Sequence, residues 1–319
     1  MTLIRYLLLL FICAGLWLGS QLPAAAAEPA VPEPAGYPAM TIGQAAILGV
    51  VEGLTEYLPV SSTGHLLLAE RVMGIDGDGD QHVQDAAEAY TICIQAGAII
   101  AVLGLYFRRV RQMWAGLAGR DPAGRRLLSN ILVGFLPAAV IGLLFNGIIK
   151  AWLFGPWPVV AAWLAGGLAI LAVHWCRQSQ PQATRNGVAL DDLTWKMAVI
   201  IGIAQCIAMW PGVSRSLVTI VGGVLVGMSL PAAVEYSFLL GVLTLGAATA
   251  YDALKHGQEM LSIFDPLALT VGVVFAFLSA VAAIKWMVAY LNRHGMAVFG
   301  YYRVCLGVTV AVLLATGKI

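Results

Sequence analysis

Residues 51–65 read VEGLTEYLPVSSTGH, and they place acidic and hydroxyl side chains around a proline and a glycine in an otherwise apolar region. Proline and glycine interrupt a helix. Inside a membrane, interrupted backbone is tolerated only where protein or a water-filled cavity satisfies its polar groups. The stretch therefore predicts a broken helix pair that lines a cavity.

A second stretch, PGVSRS at 211–216, repeats this arrangement. The two interrupted apolar segments cover about 41–74 and 195–228. Three continuous apolar segments follow each of them, and each is long enough to cross a bilayer as a helix: about 86–107, 128–149 and 157–176, then 232–251, 266–290 and 298–317. Since 60% of the residues are hydrophobic and only 11% are charged, we predict an all-α polytopic membrane protein.

The order of these segments predicts an inverted-topology repeat, with halves at about 41–176 and 195–317. In each half, a re-entrant broken helix pair precedes three transmembrane helices. Because three crossings are an odd number, the second half starts on the opposite side of the membrane from the first. The two broken segments then meet near the midplane.

The basic residues agree with an exported N-terminus. The outward stretches then contain only Arg71, Lys150, Lys255 and Lys318. The inward loops contain most of the basic residues, as the positive-inside rule requires: Arg108, Arg109, Arg111, Arg120, Arg125, Arg126, Arg177, Arg185, Lys196, Lys285 and Arg293. The formal net charge of +1 gives no signal for nucleic acid binding.

The first 27 residues have the pattern of a secretory signal peptide, with Arg5 before an apolar run and small residues ending at Ala27. An uncleaved first helix is the alternative, because the same run is long enough to span a bilayer. Residues 28–39 form a Pro-rich spacer. We therefore expect one integral membrane domain over 40–319.

The two glutamates of the first stretch are candidates for a cation site. Glu52 and Glu56 lie four residues apart, so a helix places them on one face, where like charges repel. Ionisable side chains within a membrane are costly unless they face a cavity or a partner. Hard carboxylate oxygens suit a divalent cation, Mg²⁺ or Ca²⁺, and Arg215 on the other broken segment is the obvious fixed cation. A proton or Na⁺ bound in a transporter is the alternative.

Both breaks also carry groups that suit an anion. A new helix start offers free backbone N–H groups and the positive end of the helix dipole to a phosphate. The neighbouring side chains could contact a diphosphate or only brace the helices: Ser61, Ser62, Thr63 and His65 at the first break, and Ser214, Arg215, Ser216 and Thr219 at the second. Arg303 also falls at membrane depth, and its favoured interpretation is structural.

At these residues the sequence resembles the bacterial undecaprenyl-diphosphate phosphatases of the bacitracin-resistance family. EGLTEYLPVSSTGH is similar to the first motif of that family, and QCIAMWPGVSRSLVT is similar to its PGxSRSxxT motif. Weaker matches in IQAGAIIAVL, GVALDDLTWKMA and EYSFLLGV extend the resemblance over about 41–317.

The resemblance implies a membrane phosphatase that removes the terminal phosphate of undecaprenyl diphosphate. It yields the monophosphate carrier for peptidoglycan and other cell-wall glycans, with a divalent cation as cofactor. The implied partners are a polyprenyl diphosphate and membrane lipid, and no nucleic acid is expected. Whether the protein forms a homodimer is left open. The catalytic positions are Glu52, Glu56, Ser62, His65 and Arg215; the substrate-binding positions are Ser61, Thr63, Ser214, Ser216 and Thr219.

The sequence leaves the nucleophile and several rival functions open. Either Ser62 or His65 could be the nucleophile, with His65 as the base in the first case. A lipid-phosphate transporter of the same repeat architecture is a rival, because such folds also place their sites near the midplane. The other membrane phosphatase superfamily ends its motif in SRxxxxxH, but Val221 occupies the position of that histidine. A purely structural membrane subunit would give the interior charges no purpose.

Overall fold

The computed structural model describes residues 40–75, 81–153, 155–178, 187–263 and 265–318. The predicted signal peptide, 1–27, and the predicted spacer, 28–39, lie outside these ranges. In the described ranges the regular structure is helical, with a single isolated β-bridge between Val188 and Met228.

The helices of the first half begin with a broken pair and continue with longer elements. In chain order they are α1 Ile42–Thr55, α2 Ser62–Val72, α3 Gln81–Leu105, α4 Phe107–Leu117, α5 Pro122–Leu153 and α6 Pro156–Gln178. The second half repeats the plan with α7 Trp195–Gln205, α8 Arg215–Leu225, α9 Leu230–Ile263, α10 Pro266–His294 and α11 Ala297–Ala315. Short 3₁₀ turns at Leu190–Asp192 and Cys206–Met209 flank α7.

The long apolar helices confirm the prediction of a polytopic membrane protein. Within the described ranges, the five helices α5, α6, α9, α10 and α11 are long and apolar enough to cross a membrane. Helices α3 and α4 would supply a sixth span if taken together, although they meet at 79°. Large apolar side chains on the outer surfaces are exposed, such as Leu143 and Leu144 on α5, which suits contact with lipid.

The breaks in the two short helix pairs fall at the predicted stretches. Helix α1 ends at Thr55 and α2 begins at Ser62, so the intervening turn contains Pro59. Between α7 and α8 the chain passes through a turn that contains Pro211 and Gly212. Neither short pair forms one continuous helix across the membrane.

The contacts between the halves are reciprocal. Helix α1 packs against α10, and its counterpart α7 packs against α5. In both contacts a glycine packs directly against a glycine of the other helix. A Cβ on Gly49 would lie 2.3 Å from the Gly272 carbonyl oxygen, and a Cβ on Gly202 would lie 2.4 Å from the Gly134 carbonyl oxygen. Such close approach requires that no side chain intervene. This supports the repeat, while the inverted orientation of its halves remains a prediction.

The central apolar core lies between the two breaks. Its aromatic members pack edge to face, with ring centroids 5.2 Å apart for Tyr57 and Phe238 and 5.7 Å apart for Phe238 and Tyr106. Val60 from the first break and Val213 from the second belong to the same buried cluster. The core therefore fixes both interrupted segments against each other.

Candidate active site

The two breaks share an unusual backbone conformation at a serine. Ser61 and Ser214, directly before α2 and α8, have φ angles of 75° and 76°, and no other non-glycine residue in the described ranges has a positive φ. Such a conformation costs on the order of 1–3 kcal/mol and persists only where the surroundings hold it. Each hydroxyl accepts a hydrogen bond from its own helix start, from Gly64 N at 3.5 Å and from Leu217 N at 3.3 Å.

Glu56 joins the two broken segments. Its Oε1 atom accepts a hydrogen bond from Arg215 Nη2 at 3.1 Å, and its Oε2 atom accepts one from Ser62 Oγ. The side chains of Glu56 and Arg215 are only 6% and 9% exposed. Because Ser62 and Arg215 are the first residues of α2 and α8, two helix N-termini, with their partial positive charge, meet at this carboxylate.

Arg215 is held in place by groups from three directions. Its Nη1 atom donates to the Ser237 carbonyl oxygen at 2.9 Å, and its guanidinium carbon lies 5.1 Å from the ring centroid of Tyr57. Gly241 leaves room for it, since a Cβ there would lie 2.2 Å from Nη1. The Nε atom is buried and has no partner among the described residues, so it can donate to an anion.

Glu52 is the most unusual group of the site. It is completely buried, and neither carboxylate oxygen has a hydrogen-bond partner in the described ranges. The Glu56 N–H donates to the Glu52 carbonyl oxygen at 2.9 Å, so the two carboxylates follow the four-residue helical spacing. A buried, unpartnered carboxylate is expensive, and a proton or a cation would relieve that cost.

The donor set fits a divalent cation only with help from substrate. No group of three or more His, Cys, Asp or Glu side chains that could hold a metal is found in the described residues. Mg²⁺, however, is usually held by one or two carboxylates together with water and substrate phosphates. Glu52 and Glu56 therefore suit a cation that arrives with a diphosphate.

His65 is hydrogen-bonded away from Ser62. Its Nδ1 atom lies 2.6 Å from the Ser61 carbonyl oxygen and its Nε2 atom lies 2.7 Å from the Tyr302 hydroxyl. A carbonyl oxygen only accepts, so Nδ1 carries the hydrogen, and neutral Nε2 then accepts from Tyr302. The ring also stacks on Tyr302, and Trp163 lies at its edge with a centroid distance of 5.6 Å.

Ser214 and Ser216 connect the second break to the first. Their hydroxyl oxygens are 2.9 Å apart, and Ser216 donates its hydrogen to the Leu58 carbonyl oxygen at 2.8 Å. Since that hydrogen is used, Ser214 must be the donor between the two hydroxyls. Ser216 is completely buried, and its contacts are those of a brace.

Thr219 is likewise buried and braces α8 against α9. Its hydroxyl donates to the Arg215 carbonyl oxygen at 2.8 Å and lies 2.6 Å from Ser237 Oγ. Thr63 is different, because it is exposed and its side-chain hydroxyl forms no hydrogen bond within the described part of the chain. Its role in substrate binding remains a prediction.

Arg303 on α11 donates hydrogen bonds to the backbone of both breaks. It is completely buried, and Nη1 donates to the Pro59 carbonyl oxygen at 3.4 Å while Nη2 donates to that of Gly212 at 2.9 Å. The same side chain donates to the carbonyl oxygens of Ala162 and Trp163 on α6. One guanidinium thus satisfies backbone that proline and glycine leave unpaired at both interruptions.

A family profile described as "Bacitracin resistance protein BacA" matches residues 45–309, a region that contains both breaks and Arg303. The chain belongs to the BacA family. The "Undecaprenyl-diphosphatase" of Sorangium cellulosum is 45% identical over 267 residues, which cover 83% of this chain and 84% of the relative. The protein of the same name from Variovorax paradoxus is 41% identical over 276 residues, covering 86% and 96%. The "Undecaprenyl-diphosphatase 2" of Rhodospirillum rubrum is 43% identical with the same coverage.

The site of this BacA-family chain combines the parts that phosphoryl transfer needs. Two helix starts and a guanidinium can bind a phosphate. A hydroxyl with a carboxylate at hydrogen-bond distance can act as nucleophile and base. Sequence reasoning paired Ser62 with His65, whereas the structure pairs Ser62 with Glu56.

Some contributing residues were not identified from the sequence. Ser237 and Gly241 lie in EYSFLLGV and Tyr302 lies in GYYRV, both of which look like ordinary apolar segments. Their roles depend on contacts between distant helices, which no local pattern reveals. Arg303 did carry a signal, since an arginine at membrane depth must have partners.

Proposed function

We propose that this chain is an undecaprenyl-diphosphatase of the bacterial inner membrane. It would hydrolyse undecaprenyl diphosphate to undecaprenyl phosphate and phosphate, recycling the lipid carrier for peptidoglycan and other cell-wall glycans and conferring resistance to bacitracin. The observation that carries the proposal is the contact of Glu56 with both Ser62 and Arg215, which joins a nucleophile, a base and an anion-binding cation. The names of the relatives support the substrate.

In the first step, Ser62 Oγ attacks the terminal phosphorus while Glu56 accepts the hydroxyl proton. The bond between that phosphorus and the bridging oxygen breaks, and undecaprenyl phosphate leaves. Water then attacks the phosphoserine, the bond between phosphorus and Ser62 Oγ breaks, and inorganic phosphate leaves. Oγ recovers its proton from Glu56, which restores both groups. Ser62 needs no rearrangement for this role, because its hydrogen already points to a carboxylate oxygen.

Arg215 and the two helix starts would stabilise the charge that develops on the transferring phosphoryl group. The Nε–H group is free to donate. In the resting arrangement Nη2 is bonded to Glu56. Once Glu56 takes the proton of Ser62 and loses its charge, Arg215 binds the phosphate more strongly, so proton transfer and phosphate stabilisation reinforce each other.

His65 would hold the turn at Ser61 through Nδ1, while its Nε2 atom accepts a hydrogen bond from Tyr302. Direct attack by Nε2 on phosphorus is the alternative, but it requires the Tyr302 hydroxyl to move away first. We therefore favour Ser62 as the nucleophile. Detection of acid-stable phosphoserine after quenching would support this assignment, whereas acid-labile phosphohistidine would overturn it.

Glu52 would hold the divalent cation, Mg²⁺ or Ca²⁺, together with Glu56 for as long as Glu56 is ionised. When bound, the cation supplies neutralisation of charge on the two phosphates. The polyprenyl tail would remain in lipid while the headgroup enters from the periplasmic side. The distribution of arginine and lysine residues along the chain supports this orientation.

Phosphate release from undecaprenyl diphosphate by the purified chain tests the proposal. We expect a chelator to abolish the activity, and we expect Glu56→Gln and Arg215→Ala to lower it by a factor of about 10² or more. Arg71→Ala is a control on α2, because Arg71 is exposed and contacts no described residue of the site, and it should retain activity. Wild-type rates in either site variant would defeat the scheme, and binding without phosphate release would indicate a transporter.

A further inference from the structure

Helix α4 leaves the preceding helix at a sharp angle. Helices α3 and α4 meet at 79°, with the single non-helical residue Tyr106 between them. If α3 crosses the membrane, α4 must run nearly along its surface. Gly116 lets α4 pack closely against α5, since a Cβ on residue 116 would lie 2.2 Å from the Arg125 backbone nitrogen. Gly116 thus fixes α4 against α5, and with α3 as a membrane span α4 lies at the membrane interface.

The outward surface of α4 has an apolar side and a basic side. Phe107, Trp114 and Leu117 form an exposed apolar arc, with Trp114 66% and Leu117 65% exposed. Arg108 and Arg111, one turn apart, lie on the neighbouring arc and are also exposed. A helix with this division of side chains suits the boundary between lipid headgroups and acyl chains.

The basic arc opens into a cavity of about 810 Å³. Its lining includes the charged residues Arg108, Arg109, Arg111, Asp121 and Glu235. None of these residues belongs to the proposed catalytic site. The cavity is large enough for a phospholipid headgroup.

The acidic residues of this lining already have partners. Glu235 accepts from Arg109 Nε at 2.8 Å, and Arg109 Nη1 also pairs with Asp191 at 2.9 Å. Asp121 accepts from the Gly124 N–H at 2.9 Å at the start of α5. In the described part of the chain, Arg108 and Arg111 form no ion pair. Two arginines of the cavity therefore keep their charge for a ligand.

We propose that this cavity binds the headgroup of an anionic phospholipid. Arg108 and Arg111 contact the phosphate, and the apolar arc of α4 enters the acyl region beside it. The exposed Trp114 and Leu117 favour a lipid over a free phosphate, because a soluble anion would use the arginines and leave the apolar arc without a partner. The site is independent of the proposed catalytic function.

The test is a titration of the full-length chain in detergent, followed by native mass spectrometry. The probes are short-chain phosphatidylglycerol, short-chain phosphatidylcholine and glycerol 3-phosphate. We expect wild type to retain phosphatidylglycerol in preference to both other probes. In the double variant Arg108→Gln with Arg111→Gln, the affinity for phosphatidylglycerol should fall about 30-fold, the factor for removing two basic side chains near an anionic lipid surface.

Arg126→Gln is the matched control, because Arg126 is an exposed arginine on the adjoining helix that does not line the cavity. Its affinity for phosphatidylglycerol should stay close to that of wild type. Trp114→Ser keeps both arginines and should weaken the lipid while leaving glycerol 3-phosphate unchanged. Equal losses in the control and the double variant, or equal affinity for glycerol 3-phosphate and the lipid, would overturn the proposal.

Discussion

Gly241 on α9 gives the most specific test of how Arg215 is positioned. A Cβ on residue 241 would lie 2.2 Å from Nη1, 2.5 Å from Cζ and 2.7 Å from Nη2 of Arg215. Ordinary contacts begin near 3.4 Å, so in Gly241→Ala the guanidinium must move by about 1 Å. This displacement weakens its contact with Glu56 and misplaces the guanidinium that we propose binds the phosphate.

A misplacement of this size costs about 10² in rate. We therefore expect kcat/KM for phosphate release to fall about 100-fold in Gly241→Ala, equivalent to about 2.7 kcal/mol of transition-state stabilisation. Stability should fall modestly, because the displaced guanidinium weakens its buried bonds to Glu56 and to the Ser237 carbonyl oxygen. Part of this loss is offset within the helix itself. Alanine also favours a helix interior over glycine by roughly 0.5–1 kcal/mol.

Gly246→Ala is the matched control, because it lies on the same helix and a Cβ there meets nothing within 4 Å. Its activity should remain within about twofold of wild type, since a distant substitution without shared partners has little effect. On an Arg215→Ala background, Gly241→Ala should add almost nothing, because both changes act through one guanidinium. Near wild-type activity in Gly241→Ala, or full additivity with Arg215→Ala, would refute the reasoning.

Three further substitutions test other parts of the site. Tyr302→Phe keeps the ring on His65 but removes one hydrogen bond, so kcat should fall about tenfold. Tyr301→Phe, at the neighbouring position, is the control and should not change kcat. Equal kcat in the two variants would argue against the orientation of His65 by the Tyr302 hydroxyl. Glu52→Gln removes a buried carboxylate without a partner, so Tm should rise by about 2–4 °C or more. Cation-dependent phosphate release should be lost in the same variant. A lower Tm would contradict the view that the Glu52 carboxylate costs stability. Arg303→Gln leaves carbonyl oxygens at both breaks unpaired, so the free energy of unfolding should fall by at least about 3 kcal/mol, and an unchanged thermal melt would exclude the bracing role.

The membrane helices and the interruptions were predictable because they depend on local chemistry. Apolar runs of sufficient length predicted α3, α5, α6, α9, α10 and α11, and Pro59 and Pro211 marked the two turns. The bend that separates α4 from α3 was not predicted. Residues after 107 were read as a basic loop, whereas Trp114 and Leu117 recur at a spacing that also allows a surface helix.

The presence of polar residues at the two breaks was easier to predict than their hydrogen-bond partners. His65 lies four residues after Ser61, and the structure uses that spacing for a bond to the Ser61 carbonyl oxygen. Ser62 instead bonds to Glu56 across the break. The path of the chain through the turn decides this pairing, and a turn held by Arg303 from a distant helix has no signature in the local sequence.

The two halves supply equivalent backbones but different chemistry. Glu52 lies nine residues before the strained Ser61, and the residue nine before the strained Ser214 is Gln205. By the same register Ser62 corresponds to Arg215. Acidic groups at both breaks would repel a diphosphate, and cations at both would leave the nucleophile without a base. A carboxylate from the first break therefore lies opposite a guanidinium from the second, and the two similar helix starts form one asymmetric site that suits the proposed phosphoryl transfer.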